Sequence, residues 1–154
     1  TKGKVNYKKV NEVLNVSHDV PNFGFIISDD KTSIVYITDT GYINKRNFEL
    51  TKNKTLYVIE ANHNEKMLME GKYPYMLKQR VLSDHGHLSN NTTAEYLSKI
   101  IGTKTKKVVL AHISENNNTP ELALKTTKDV LEENNIHVDC EVAKQYESLD
   151  EIEV

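Results

Sequence analysis

The chain has 154 residues, 38% of them hydrophobic and 27% charged, an ordinary composition for one domain with its own core. Twenty basic residues stand against 22 acidic ones, and the formal charge of −2 lacks the basic excess of a protein that coats nucleic acid. The single cysteine, Cys140, excludes an intrachain disulfide framework, and no apolar run approaches the roughly 20 residues of a membrane helix.

The front of the chain reads as strands. Residues 5–16 carry β-branched side chains in rough alternation. Residues 23–27 and 33–38 follow, joined by Ser28-Asp29-Asp30-Lys31 as a hairpin turn. A short helix or loop near residues 44–50 precedes a strand at 56–59, apolar throughout as a sheet-interior strand would be. The middle predicts three helices. Residues 65–70 end at Gly71 as a C′ residue. Pro74 opens the second, with Met76, Leu77, Val81 and Leu82 as its apolar stripe. Residues 92–101 form the third, capped from Asn90, Asn91 or Thr92 and closed by Gly102. A strand at 107–111, a helix at 120–134 with Thr119 as N-cap, and a strand at 138–143 complete the pattern. The acidic tail, 147–154, is expected to fray.

Strands in front and strand–helix alternation behind imply an α/β (α+β) fold, a mixed sheet covered by helices. Helices on one side leave the other face apolar and bare. Such a face needs a partner, either another half of the same protein or another subunit. Lys2, Lys4, Lys8 and Lys9 are interleaved with polar residues at the start, so no signal peptide is read and a cytoplasmic location is expected. With Thr1 in place of Met, the chain is expected to be a piece of a longer one.

Ionisable residues recur just after the apolar strands, where α/β folds gather their sites. Asp39 follows one strand and precedes Gly41; its carboxylate can bind a divalent metal, or it can form the turn by accepting local N–H groups. Glu60 ends the most apolar strand, with His63 three residues on; a carboxylate near a histidine can set its tautomer. The alternative there is a capping cluster, with Asn62 or Asn64 opening the next helix. His85-Gly86-His87 stands before a helix and can bind metal, supply a general acid, or sit in a solvated loop. His112 ends another strand, as ligand or as satisfied core histidine. His18 carries the same ambiguity, His137 reads as surface, and Cys140 as a small core residue. Four such groups at successive strand ends point to one shared edge.

The runs TDTG (38–41), EANHN (60–64), GHLSN (86–90) and LAHISENNNTPELA (110–123), with the spacer KYPYMLKQRVLS (72–83), resemble the C-terminal half of the YycJ/WalJ branch of the metallo-β-lactamase superfamily. The resemblance runs from about residue 16 to about residue 142 and makes residues 1–154 one half of an αβ/βα sandwich. It implies two divalent ions, zinc or manganese. Asp39 matches the bridging carboxylate and His112 the last histidine ligand. Glu60 and His87 match the proton relay of the related ribonuclease Z enzymes. His63 is expected near the site, His18 near the substrate, and Ser114 and Asn117 in the loop beyond His112.

The family signature His-x-His-x-Asp-His stands nowhere in these residues. The 154-residue piece alone is therefore expected to be short of metal and inactive. The parent is expected to be a metal-dependent hydrolase, a phosphodiesterase and 5′–3′ exonuclease on DNA. Its partners would be DNA and the N-terminal half of the fold, or a second copy through the bare sheet, with no membrane. The alternatives are a non-catalytic partner-binding domain and a small-molecule hydrolase on the same scaffold.

Overall fold

The computed structural model describes residues 10–153. Asp29 makes the first tight turn. Its Oδ1 accepts the backbone N–H of Lys31 at 2.8 Å and of Thr32 at 2.7 Å, so the side chain stands in for a turn carbonyl. The apolar runs on either side fold back on each other as β2 (Phe23–Ser28) and β3 (Ser33–Ile37). Strand β1 (Val10–Asn15) pairs antiparallel with β2; the part of its predicted run before Val10 lies outside the described residues.

From β3 onward the pairing is parallel, through β4 (Leu56–Glu60), β5 (Lys107–Ala111) and β6 (Asp139–Val142). The result is one six-stranded sheet in the order β1-β2-β3-β4-β5-β6. Parallel neighbours need crossovers, and helices supply them. Helix α1 (Lys45–Thr51) lies between β3 and β4. Helices α2 (Glu65–Glu70), α3 (Tyr75–Leu82) and α4 (Asn90–Ile100) lie between β4 and β5, and α5 (Pro120–Glu133) between β5 and β6. The predicted mixed sheet with helices is what the chain forms.

Alternation along the strands sends Val35, Ile37, Tyr57, Ile59, Val108 and Leu110 to one face, packed with Leu97 and Ile100 of α4 and Leu131 of α5. Tyr57 is fully buried among them. Its hydroxyl lies 2.8 Å from the Thr51 carbonyl and 3.0 Å from that of Ile100, and accepts the Lys54 N–H at 3.0 Å. A buried polar tip is thus satisfied at the ends of α1 and α4. The opposite face carries Phe25, Ile27, Ile34 and Val58, partly exposed, with Val13 48% and Tyr36 43% exposed. None of these six belongs to the core cluster, so the helices gather on one side, as expected.

Local details differ from the sequence reading. Gly71 has φ −72°, not the left-handed value of a C′ glycine; a β-carbon there would stand 2.7 Å from the Met67 carbonyl oxygen. Close approach, not turn geometry, requires it. In α3 the predicted stripe is only half realised. Val81 is buried, but Met76 is 77% exposed, because Leu77, Arg80 and Val81 line one side of a cleft and the rest of the helix meets solvent. The α4 cap is Ser89, one residue before the candidates, with Oγ accepting the Thr92 N–H at 3.1 Å. Among the described residues no helix is long and apolar enough to cross a membrane.

Candidate metal centre

Parallel pairing aligns Ile37, Ile59 and Leu110 across three neighbouring strands. Asp39, Glu60 and His112 therefore leave the same edge of the sheet side by side. His87 arrives from the loop before α4. That loop is held by the Asn62 N–H on the Leu88 carbonyl and by the Asn90 N–H on the His63 carbonyl, both at 2.9 Å. Two glycines permit the approach. A β-carbon on Gly86 would lie 2.1 Å from the Val81 carbonyl oxygen, and one on Gly41 would lie 2.3 Å from that of Asp84.

Asp39, Glu60, His87 and His112 each offer a ligand atom within 4.8 Å of the others. Glu60 is the hub and is fully buried. Its Oε1 stands 2.7 Å from Nδ1 of His87 and 2.7 Å from Nδ1 of His112, and its Oε2 accepts the Thr40 N–H at 3.1 Å. One carboxylate oxygen thus fixes both rings with Nδ1 inward, which leaves each Nε2 uncommitted among the described residues. Asp39 Oδ1 lies 3.6 Å from His112 Nε2. Two donors on one tetrahedral ion, each about 2.0–2.1 Å from it, stand roughly 3.3 Å apart. Asp39 and His112 thus have the spacing of two donors that could share a divalent ion, and Glu60 stands behind His112 where an outer, ligand-orienting carboxylate would stand. Both residues hold left-handed backbone, φ 55° and 56°. Non-glycine residues adopt that conformation at a cost of roughly 1–3 kcal/mol, and it collects at functional sites.

Burial works to raise the Glu60 carboxyl, but hydrogen bonds from His112 and His87, and the charge of those rings, outweigh it and hold the group below the ordinary glutamate range. His112 is displaced upward, first by its hydrogen bond to Glu60. The two shifts describe one charged pair.

The cleft beside this group has a volume of about 830 Å³. His18 lines it, with Nδ1 3.2 Å from the Gly86 carbonyl oxygen and its ring centroid 5.1 Å from that of His87. Ser114 and Asn117 line it too, joined by a 3.2 Å bond from the Asn117 N–H to Ser114 Oγ. His85 turns away to Ser17 Oγ, and His137 is exposed. Cys140 is buried, which pushes its thiol up to about 11.

His63 is not brought to the cleft. It is 1% exposed, both ring nitrogens lack a hydrogen-bond partner among the described residues, and burial pushes it down to about 4. The chain forms a bridge from His63 to Ser89, which turns the ring inward. Asn64 caps α2, but Asn62 does not; its Nδ2 donates to the His112 carbonyl at 2.9 Å. Sequence reasoning took Asn90 only as a candidate helix cap and missed its pairing with Asn118; the two are buried and joined through both amides at 2.9 and 2.8 Å. The Asn-rich run 115–119 was the available signal, hidden because asparagine there reads equally as turn or cap.

The profile of the Beta-lactamase superfamily domain matches residues 7–113. The chain belongs to the metallo-β-lactamase superfamily. Within it the chain falls in the YycJ/WalJ-like branch. It is 47% identical over 117 residues to Exodeoxyribonuclease WalJ of Streptococcus pneumoniae, across 75% of this chain and 43% of that protein. It is 40% identical over 124 residues to Exodeoxyribonuclease YycJ of Bacillus anthracis, across 79% of this chain and 47% of that protein. The chain thus spans less than half the length of these relatives. Among solved structures, the metallo-β-lactamase fold protein YhfI of Bacillus subtilis superposes with TM-score 0.61 at 19% identity, covering 86% of this chain and 45% of that one. Human tRNase Z, short form, gives 0.50 at 20% identity, covering 67% and 35%. At those identities the likeness shows the metallo-β-lactamase fold alone.

Proposed function

We propose that this chain carries one side of the metal centre of a phosphodiesterase that degrades DNA from its 5′ ends. The observation that carries the reading is the buried Glu60 oxygen holding Nδ1 of both His87 and His112 beside Asp39. Two relatives named as exodeoxyribonucleases support the choice of DNA. Arg80 and Lys144 line the cleft with Tyr73, which suits a phosphate chain bearing flat bases.

Asp39 and His112 hold a divalent ion in this reading, zinc or manganese, in a centre of two ions. Such an ion supplies Lewis acidity toward a phosphoryl oxygen. His87, held by Glu60 through Nδ1, gives a proton from Nε2 to the departing oxygen. His63 takes no chemical step and supports the loop under His87. The remaining ligands come from the other half of the same fold, which covers the sheet face of Phe25, Ile34 and Val58. By itself the 154-residue piece is then inactive and short of metal.

The test is digestion of a 5′-labelled duplex with Mn²⁺ or Zn²⁺ by the protein made from its complete gene. Asp39→Ala is expected to bring the rate down to that of the metal-free protein. An undiminished rate removes Asp39 from the centre.

The partly exposed sheet face favours a second reading, a partner-binding domain without catalysis. Gel filtration with metal analysis separates the two. A symmetric dimer without metal and without nuclease activity favours the second.

A further inference from the structure

Asn62 is tied to both loops that carry the histidines. Its backbone N–H donates to the carbonyl of Leu88, the residue after His87, at 2.9 Å. Its backbone carbonyl accepts the N–H of Ser114, two residues past His112, at 2.8 Å, and Asn118 Nδ2 at 3.1 Å. The side chain has one bond of its own, from Nδ2 to the His112 carbonyl at 2.9 Å.

That carbonyl belongs to a residue in the left-handed region, φ 56°. A residue with a β-carbon stays there only where its surroundings over-determine it. If the peptide relaxed toward negative φ, the Cα–Cβ direction of His112 would swing. The ring would leave its 2.7 Å contact with Glu60 and its 3.6 Å approach to Asp39.

We infer that Asn62 is a positioning residue for the metal centre: its amide holds His112 in left-handed backbone and so aims the imidazole. The inference rests on the metal-centre reading proposed above. Positioning here is separable from folding. The ties of Asn62 to Leu88, Ser114 and Asn118 use backbone atoms and survive a change of side chain. The side chain itself lines the cleft and lies outside the core cluster. Capping does not explain it, since Asn64 caps the next helix.

The experiment uses Asn62→Asp, which keeps the shape but loses the donor, and Asn62→Ala, which removes the group. In the protein from its complete gene, three quantities are measured: Zn²⁺ affinity by chelator competition, the visible spectrum of the Co²⁺ form, and the metal-free melting temperature. Both variants are expected to lose about 10–100-fold in Zn²⁺ affinity, the usual effect of removing a group that orients a ligand. Their Co²⁺ bands are expected to change in position and intensity. The metal-free melting temperature is expected to stay within about 2 °C, since the bond removed is a single one at an exposed position. Unchanged affinity and an unchanged Co²⁺ spectrum in both variants overturn the inference. So does an affinity loss that only tracks a falling melting temperature. A wild type that binds metal and degrades DNA while both variants do the same sinks this inference alone. A wild type that binds no Zn²⁺ sinks it together with the proposed function.

Discussion

His112 Nδ1 and Glu60 Oε1 lie 2.7 Å apart, and the same oxygen lies 2.7 Å from His87 Nδ1. The residues come together from positions 52 and 27 apart in sequence. A single buried oxygen therefore sets the tautomer of two rings at once. In its neutral form His112, with Nδ1–H donated inward, presents the lone pair of Nε2 outward, the state a metal ligand needs; His87, held the same way, points its Nε2 outward as well.

Glu60→Gln tests that arrangement. The amide keeps the volume but loses the charge, and its oxygen cannot favour both Nδ1–H tautomers as a carboxylate does. Divalent-metal affinity is expected to fall about 10–100-fold. Titration against a chelator of known strength measures it. Affinity equal to wild type would show that Glu60 does not orient the ligands.

The same pair gives the metal-free protein a pH signature. Glu60 is held below its ordinary 4.5, so its contribution is fully present above 4.5 and is lost as pH falls through the lowered value. His112 is raised above 6.5, so its contribution is fully present below 6.5 and is lost as pH rises through the raised value. Both are intact between about 4.5 and 6.5. The melting-temperature gap between wild type and His112→Gln is expected to be widest in that window and to close toward alkaline pH. Metal must displace the His112 proton, so metal affinity should rise across the same alkaline range. A gap that does not vary with pH would contradict the charged pair.

Much of the site was legible because each of its residues follows something the sequence displays. Asp39, Glu60 and His112 stand at the ends of apolar runs, and parallel pairing makes those ends neighbours. The sharing of Glu60 was not legible; the sequence reading linked it to His63 and to His87 but not to His112, since nothing local marks a partner 52 residues away. His63 looked as good a candidate as the others, three residues after Glu60, until the bridge to Ser89 turned it inward. Gly71 and the α4 cap went astray by the same route. Short-range patterns state what a residue can do, and contacts distant in sequence decide which option is taken.

Gly86 makes a local claim that a single methyl can test. A β-carbon there would stand 2.1 Å from the carbonyl oxygen of Val81 and 2.4 Å from that of Arg80, both backbone atoms that cannot turn aside. Gly86→Ala must push the loop off α3 and move His87 with it. Overpacking of this kind costs about 1–3 kcal/mol, and calorimetry should show a lower melting temperature. Weakened metal binding should accompany it. An unchanged melting temperature would mean that the loop is not held as tightly as described.

His63 sets the acid limb of stability. Burial lowers it from 6.5 to about 4, against the opposing pull of the Glu60 and Glu65 carboxylates. Below pH 6.5 the unfolded chain takes up a proton that the folded chain refuses, so stability falls as pH drops toward 4. The full loss is on the order of 3 kcal/mol. The unpartnered ring nitrogens offer nothing that an apolar side chain would forfeit. His63→Leu should therefore match wild type near pH 8 and exceed it near pH 4.5, which urea unfolding at the two pH values measures. Parallel loss of stability in both proteins would mean that the His63 ring is already charged, or already wet, in the folded state.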